Sequence, residues 1–253
     1  MSSSLSADEL QRYERQILID EIGAAGQNLL KQSRVLICGA GGLGSPAAIY
    51  VTVAGIGNVT LVDHDTIDLS NLNRQVLHFE ADIGRYKVDS AREKLAQLNS
   101  EVTVKACRET LTAESAVQIL SGHDVIIDAL DNQKTRYIVN EAALKLGIPL
   151  IHGAVSDFEG QVMTILPGQS TCLRCLSRGP VDPAGSVPVI GVTPAVIGAL
   201  QATEAIKYIL GAGELMTDRL LRYDGLKLKW REFRVSRNPQ CEHCGILEKG
   251  HKV

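Results

Sequence analysis

The sequence predicts an α/β fold: a doubly wound, mostly parallel sheet with an antiparallel extension toward the C-terminus. Three observations predict it. Short apolar runs at 34–38, 59–63 and 125–128 alternate with segments of helical period, the pattern of parallel strands buried on both faces. A cluster of glycines comes directly after the first run, as it does where a strand turns into a helix at the mouth of such a sheet. Past residue 156 the alternation gives way to strand-like runs at 160–166, 219–224 and 226–235.

Taken in order, Ser6 and Glu9 form a capping-box pattern, and Leu10, Tyr13, Ile17 and Ile22 recur at helical spacing, predicting one helix through about Lys31. The first strand, 34–38, leads into a helix over 44–54 and a second strand over 59–63. Residues 67–79 are polar and Asn-rich and read as loop with short helical turns. Next come a helix over 86–98, a strand over 101–106, a helix from about Thr112 and a strand over 125–128. Residues 132–146 are helical, 149–152 open the next strand, and 198–210 form an amphipathic helix. The Pro- and Gly-rich stretch 177–189 reads as a long flexible segment.

Composition narrows the function. The chain has 253 residues, 45% hydrophobic and 22% charged, with net charge −3, so it suits one α/β domain. No window nears the roughly 18 uninterrupted apolar residues of a membrane span. The N-terminus lacks the features of a secretory signal, which predicts a cytoplasmic protein with no membrane partner. The absence of a basic run argues against nucleic acid. Six cysteines in a cytoplasmic chain favour thiols or a metal over disulfides.

Gly39-Ala40-Gly41-Gly42-Leu43-Gly44 fits G-x-G-x-x-G between a strand and a helix, a Rossmann-like phosphate loop. Gly39, Gly41, Gly42 and Gly44 let the backbone approach phosphates closely. Asp63, at the end of the second strand, is placed to accept ribose hydroxyls. The loop alone does not separate NAD, FAD and ATP. The segment beyond Asp63 favours ATP. Ser70-Asn71-Leu72-Asn73-Arg74-Gln75 and then Lys87 bring cations past the second strand, where a triphosphate needs them and a dinucleotide does not.

These motifs together resemble one family, the molybdopterin-synthase and thiamine-biosynthesis adenylyltransferases, relatives of ubiquitin-activating E1. The resemblance spans nearly the whole chain. It rests on Arg12-Tyr13-Glu14-Arg15-Gln16, on residues 39–44 and 70–75, on the Lys87 segment, on Asp128-Ala129-Leu130-Asp131-Asn132, on two CxxC pairs and on residues 200–205. It implies that Gly42 lies against the phosphates, that Asp63 binds ribose and that Arg74 and Lys87 are phosphate ligands. Asn71 and Gln75 would line the same pocket, and Asp131 would act near the α-phosphate through Mg²⁺. Arg15 would reach into a partner subunit's site, implying a homodimer. The implied reaction is ATP-dependent adenylation of the C-terminal glycine of a small ubiquitin-like sulfur carrier ending in Gly-Gly, with a sulfur donor acting downstream.

Cys172-Leu173-Arg174-Cys175 and Cys241-Glu242-His243-Cys244 supply enough thiolates for one tetrahedral zinc, though a redox pair has the same spacing. The family pattern carries a Zn²⁺ here, implying a structural Cys₄ site that ties the tail to the middle of the chain. His243 then reads as exposed rather than as a ligand. Cys38 and Cys107 read as core residues, and His64 and His152 as ordinary polar residues. Many relatives carry a transfer cysteine in the segment that here reads SRGPVDPAGSVPV (177–189). Ser186 is an unactivated substitute, so adenylation without a covalent carrier intermediate is the expectation.

The chain is thus expected to be a single adenylation domain over 1–253, with an N-terminal helical segment (1–32), a nucleotide-binding half (33–155) and a carrier-binding half (156–253). Two rival readings are a dinucleotide-dependent oxidoreductase and a non-catalytic E1-like binding module. A closer variant would activate another carboxylate, on a modified tRNA base or a peptide.

Overall fold

The structure, a computed structural model, describes residues 5–176 and 187–245. Ser6 caps α1 (Ala7–Arg12) with the predicted reciprocal pair: Glu9 N–H donates to Ser6 Oγ at 3.1 Å, and Ser6 N–H to Glu9 Oε2 at 2.7 Å. The single N-terminal helix of the sequence reading is instead three: α1, α2 (Glu14–Ile17) and α3 (Gly23–Gln32). Tyr13 breaks the first, because its ring turns into the core and its hydroxyl accepts from Asn99 Nδ2 at 2.8 Å. Gly23, at φ +55°, separates the last. Leu10, one of the residues at helical spacing, is exposed.

The strands and helices then alternate: β1 (Arg34–Cys38), α4 (Gly44–Val53), β2 (Asn58–Val62), α5 (Lys87–Leu98), β3 (Thr103–Cys107), α6 (Ala116–Leu120), β4 (Val125–Asp128), α7 (Gln133–Leu146) and β5 (Leu150–Ser156). Short 3₁₀ turns at Leu69–Asn71 and Glu80–Asp82 interrupt the loop before α5. The remainder is β6 (Glu159–Ile165), α8 (Leu173–Leu176), α9 (Val192–Leu210), β7 (Arg219–Asp224) and β8 (Lys229–Arg234). One eight-stranded sheet runs β3-β2-β1-β4-β5-β6-β7-β8, parallel through β5 and antiparallel beyond it. The predicted fold class is therefore observed.

Strand alternation sends Val35 and Ile37 of β1 to a core shared with α4, α5 and α9, while Leu36 and Cys38 face α6 and α7 on the other side. Each fully buried Ile or Leu in these layers contributes roughly 1.5–3 kcal/mol. Cys107, read as a core residue, is only half-buried at the end of β3. Helix α9 begins at Val192, six residues before the predicted start. Pro194 falls in its first turn, where no backbone N–H is needed, so the proline is absorbed rather than ending the helix. Glu9, Gln27 and Gln201 are among the buried polar residues.

The edge strand β8 is exposed throughout and carries Lys229, Arg231, Glu232 and Arg234, charges that disfavour further edge pairing. Among the described residues no helix is long and apolar enough to cross a membrane. The segment expected to be flexible, with Ser186, lies outside the described residues except for 187–189, where Asp157 N–H donates to the Pro188 carbonyl at 2.6 Å.

Candidate nucleotide site and cysteine cluster

The strand order reverses between β1 and β4, and the chains leaving their C-terminal ends part to leave a cleft of ≈ 680 Å³. The glycine loop forms one wall. Gly39 has φ +101°, and a Cβ there would stand 2.7 Å from the Ala129 carbonyl oxygen. At Gly44, which opens α4, a Cβ would collide with the Gly39 carbonyl oxygen at 1.8 Å. Gly39 and Gly44 thus shape the turn, while Gly41 and Gly42 line the cleft.

Asp63 leaves the end of β2 and is tied to that loop. Its Oδ2 accepts from Ala40 N–H at 2.8 Å and its Oδ1 from Asp65 N–H at 2.9 Å. Lys87, at the start of α5 and nearly buried, places Nζ 2.7 Å from Asp65 Oδ2. Arg74 Nη1 donates to the Ser70 carbonyl at 2.8 Å and to Asn73 Oδ1 at 3.0 Å, which holds the guanidinium at the cleft rim. Gln75 is buried, and its Oε1 has no partner among the described residues. On the opposite wall Asp131 is exposed to the cleft. Asn132 beside it caps α7, accepting from Thr135 N–H at 2.9 Å.

The cleft therefore gathers Gly39, Gly41, Gly42, Asp63, Arg74, Gln75, Lys87 and Asp131. It does not gather three other predicted residues. Gly44 sits behind the loop. Asn71 turns back to accept from Asp68 N–H at 3.2 Å. Arg15 is exposed on α2, outside the lining of its own chain's cleft.

The sequence reading missed a buried polar group beneath the Asp131 wall. Asp128 and His152 face each other in the register of β4 and β5, with Nδ1 2.7 Å from Oδ2. Burial lowers the His152 pKa against the pull of Asp128, leaving a neutral ring. Arg136, one turn into α7, donates to the carbonyls of Leu130 and Gly153, the latter at 3.0 Å. Gln201 of α9 donates to the Asp128 carbonyl at 2.7 Å and that of Ile151 at 3.0 Å. Only the position of Asp128 at a strand end and of His152 in the next predicted strand hinted at this.

On the far side of α7 the four cysteines converge, all Sγ atoms within 4.8 Å of one another. Cys172–Cys175, Cys172–Cys241 and Cys175–Cys244 stand 4.0, 3.7 and 3.5 Å apart. A tetrahedron with Zn–S bonds of about 2.3 Å has edges of about 3.8 Å, so the donor set fits zinc. Burial pushes the Cys172 thiol up and Cys244 to about 11. Burial acts the same way on Cys241, but backbone N–H groups of Cys244 and His243 outweigh it and bring that thiol to about 7. His243 is half-buried, not exposed as expected. Its Nδ1 lies 3.0 Å from Asn140 Nδ2, and its ring meets Tyr137 edge-on. Asn140 Oδ1 in turn accepts from Leu173 N–H at 3.1 Å, so one buried residue of α7 binds both knuckles.

Comparison with known proteins agrees with this architecture. The sulfur carrier protein adenylyltransferase of Thermus thermophilus is 44% identical over 249 residues, covering 94% of this chain and 92% of that protein. The SAMP-activating enzyme E1 of Haloferax volcanii is 41% identical, with 97% and 92% covered. The adenylyltransferase and sulfurtransferase MOCS3 of Culex quinquefasciatus is also 41% identical over 96% of this chain, which spans only 57% of that longer protein. Among solved structures, Escherichia coli MccB with ATP has a TM-score of 0.84 over 92% of this chain and 74% of its own, at 24% identity, a likeness of fold. The ThiF family matches residues 13–243, and the chain belongs to that family.

Proposed function

We propose that this protein uses ATP to adenylate the C-terminal glycine carboxylate of a small ubiquitin-like sulfur-carrier protein ending in Gly-Gly, releasing pyrophosphate. The observation that carries this reading is the convergence of Arg74, Lys87 and the glycine loop on one cleft, facing Asp131. The names of the relatives that share nearly the full chain support it.

The chemistry needs no strong base, because a terminal carboxylate is ionised at pH 7 and can attack the α-phosphorus directly. The obstacle is repulsion between two anions. Gly41 and Gly42 offer close backbone approach to the phosphates, and Arg74 and Lys87 offset the charge on the departing pyrophosphate. Lys87 is held in reserve by Asp65 until phosphate competes for it. Asp63 takes the ribose while bracing the loop through Ala40. Asp131, an exposed carboxylate at the cleft, is a hard oxygen donor of the kind Mg²⁺ takes, and the ion would neutralise phosphate charge there.

In this reading residues 1–32 form the N-terminal helical segment, 33–155 hold the nucleotide and 156–253 receive the carrier. The protein is a cytoplasmic homodimer in which Arg15 serves the second copy's cleft. Its exposure on α2 beside the exposed Leu18 and Ile19 supports that placement. The four cysteines hold one structural zinc, and a separate donor supplies sulfur to the adenylate. The test is ATP–pyrophosphate exchange against a panel of Gly-Gly carriers. Exchange dependent on one carrier and lost when its last glycine is removed is expected. No exchange with any carrier, in protein that also fails to bind ATP, overturns the reading.

A further inference from the structure

The glycine loop is braced from behind by a residue that its motif does not contain. His78 lies between β2 and α5 and is 4% exposed. Its Nε2 is 2.9 Å from the carbonyl oxygen of Ala40, and its Nδ1 is 3.0 Å from Ser90 Oγ. A carbonyl oxygen only accepts, so Nε2 carries the proton, and Nδ1 of the neutral ring accepts from the Ser90 hydroxyl. The same hydroxyl oxygen accepts from Lys94 Nζ at 2.7 Å, and Lys94 is paired with Asp82. A continuous set of contacts thus runs from α5, which carries Ser90 and Lys94, through one imidazole to the loop.

The consequence is directional. Among the described residues no peptide bond is cis, and in a trans peptide the N–H points opposite to the C=O. The Ala40 carbonyl and the Gly41 N–H belong to one peptide. Drawing the carbonyl back onto His78 turns the Gly41 N–H the other way, and Gly41 lines the cleft. The preceding peptide is held separately, by Ala40 N–H donating to Asp63 Oδ2. Both peptide planes flanking Ala40 are therefore held, one by Asp63 and the other by His78. An apolar ring could fill the space of His78 but could not hold a carbonyl.

We propose that His78 is a positioning residue for nucleotide binding, aiming the Gly41 N–H at a phosphate by holding the Ala40 carbonyl. This rests on the reading of the cleft as an ATP site. Burial lowers the His78 pKa, and the charges of Lys94 and Lys87 act the same way against the Ala40 carbonyl and Asp82. The ring stays neutral, with its one proton on Nε2.

The test uses the amide geometry of two substitutions. A glutamine can place its amide nitrogen near the position of Nε2, whereas an asparagine reaches only that of Nδ1. Binding of a non-hydrolysable ATP analogue to the full chain is measured by calorimetry. His78→Asn is expected to bind about tenfold more weakly than the parent, with His78→Gln restored to within about threefold, as loss and recovery of one donor require. Thermal midpoints within a few degrees of each other separate this from unfolding. If His78→Asn does not fold, Ser90→Ala tests the same brace from the other side, with affinity expected to fall about threefold. Asn and Gln variants of equal affinity, or unchanged affinity in folded Ser90→Ala, overturn the assignment of His78 alone. A parent protein that binds no analogue overturns the nucleotide reading and this one with it.

Discussion

One wall of the cleft is a single unbroken stretch, residues 39–44, whereas the cysteine cluster joins Cys172 and Cys175 to Cys241 and Cys244 across much of the C-terminal half. The cleft wall at Asp131 is exposed and carries a carboxylate with little to hold it. The cysteine cluster is largely buried, and beside it Asn140 and Tyr137 both meet His243 while Arg174 lies over the Tyr137 ring. The difference separates two uses of polar groups in one molecule. At the cleft Asp131 stands open while Arg74 and Lys87 are held by partners at the rim, and at the knuckles polar groups are committed to joining distant segments. Substitutions should therefore divide cleanly, the first region losing rate and the second losing fold.

The largest effect is expected at the knuckles. Structural zinc binding is worth on the order of 10 kcal/mol in small metal-dependent modules, although a domain with its own core depends on it less. Metal analysis should find about one zinc per chain, since four thiolates complete one tetrahedral site. A Cys172→Ser/Cys241→Ser double variant should lose the metal and unfold at markedly lower denaturant. Full metal retention in that variant would break the comparison at its root.

At the cleft the reverse is expected. Asp131→Ala should lower carrier-dependent exchange on the order of 10²–10³, the typical cost of losing one preorganised electrostatic group. Its denaturation midpoint should match the parent, because Asp131 is exposed and its described contact is the 3.3 Å approach of Asn132 Nδ2. A loss of rate accompanied by an equal loss of stability would assign the acid to the fold instead.

Legibility in the sequence divides along the same line. The glycine loop, Asp63, the 70–75 segment, Lys87 and Asp131 lie on short contiguous motifs whose chemistry is local, and of the residues predicted for the nucleotide site the structure brings all but Asn71, Gly44 and Arg15 to the cleft. Strands β1, β4 and β7 are legible to the residue, the first two because short apolar runs carry their own limits. The break at Tyr13 is not, since it depends on Asn99, far along the chain. Nor are the roles of Arg136, Gln201 and His78, each defined by a backbone carbonyl that only the tertiary fold delivers. Asn140 is the sharpest instance: a polar residue in the middle of a helix gives no sign that it will bind two knuckles.

The smallest effect is a slope rather than a level. His78 and His152 stand behind opposite walls of the cleft, and burial lowers the pKa of each in the folded protein. The sign is set by proton uptake. Below an unfolded value of about 6.5 the unfolded chain binds protons that the folded chain does not, so stability falls as the pH drops. Carboxylates held low by partners, such as Asp82 at about 2, add to this only at lower pH, because their contribution is complete above the ordinary carboxylate range. Between pH 7 and 5.5 the histidines should therefore dominate, each contributing at most about 1.4 kcal/mol per pH unit. Denaturant midpoints should fall over that interval. His152→Asn, which keeps a donor for Asp128, should start from a lower midpoint yet lose less of it on acidification. A variant whose midpoint falls as steeply as the parent's would show that His152 takes up its proton in the folded state, and that the Asp128 pair outweighs burial beneath the cleft.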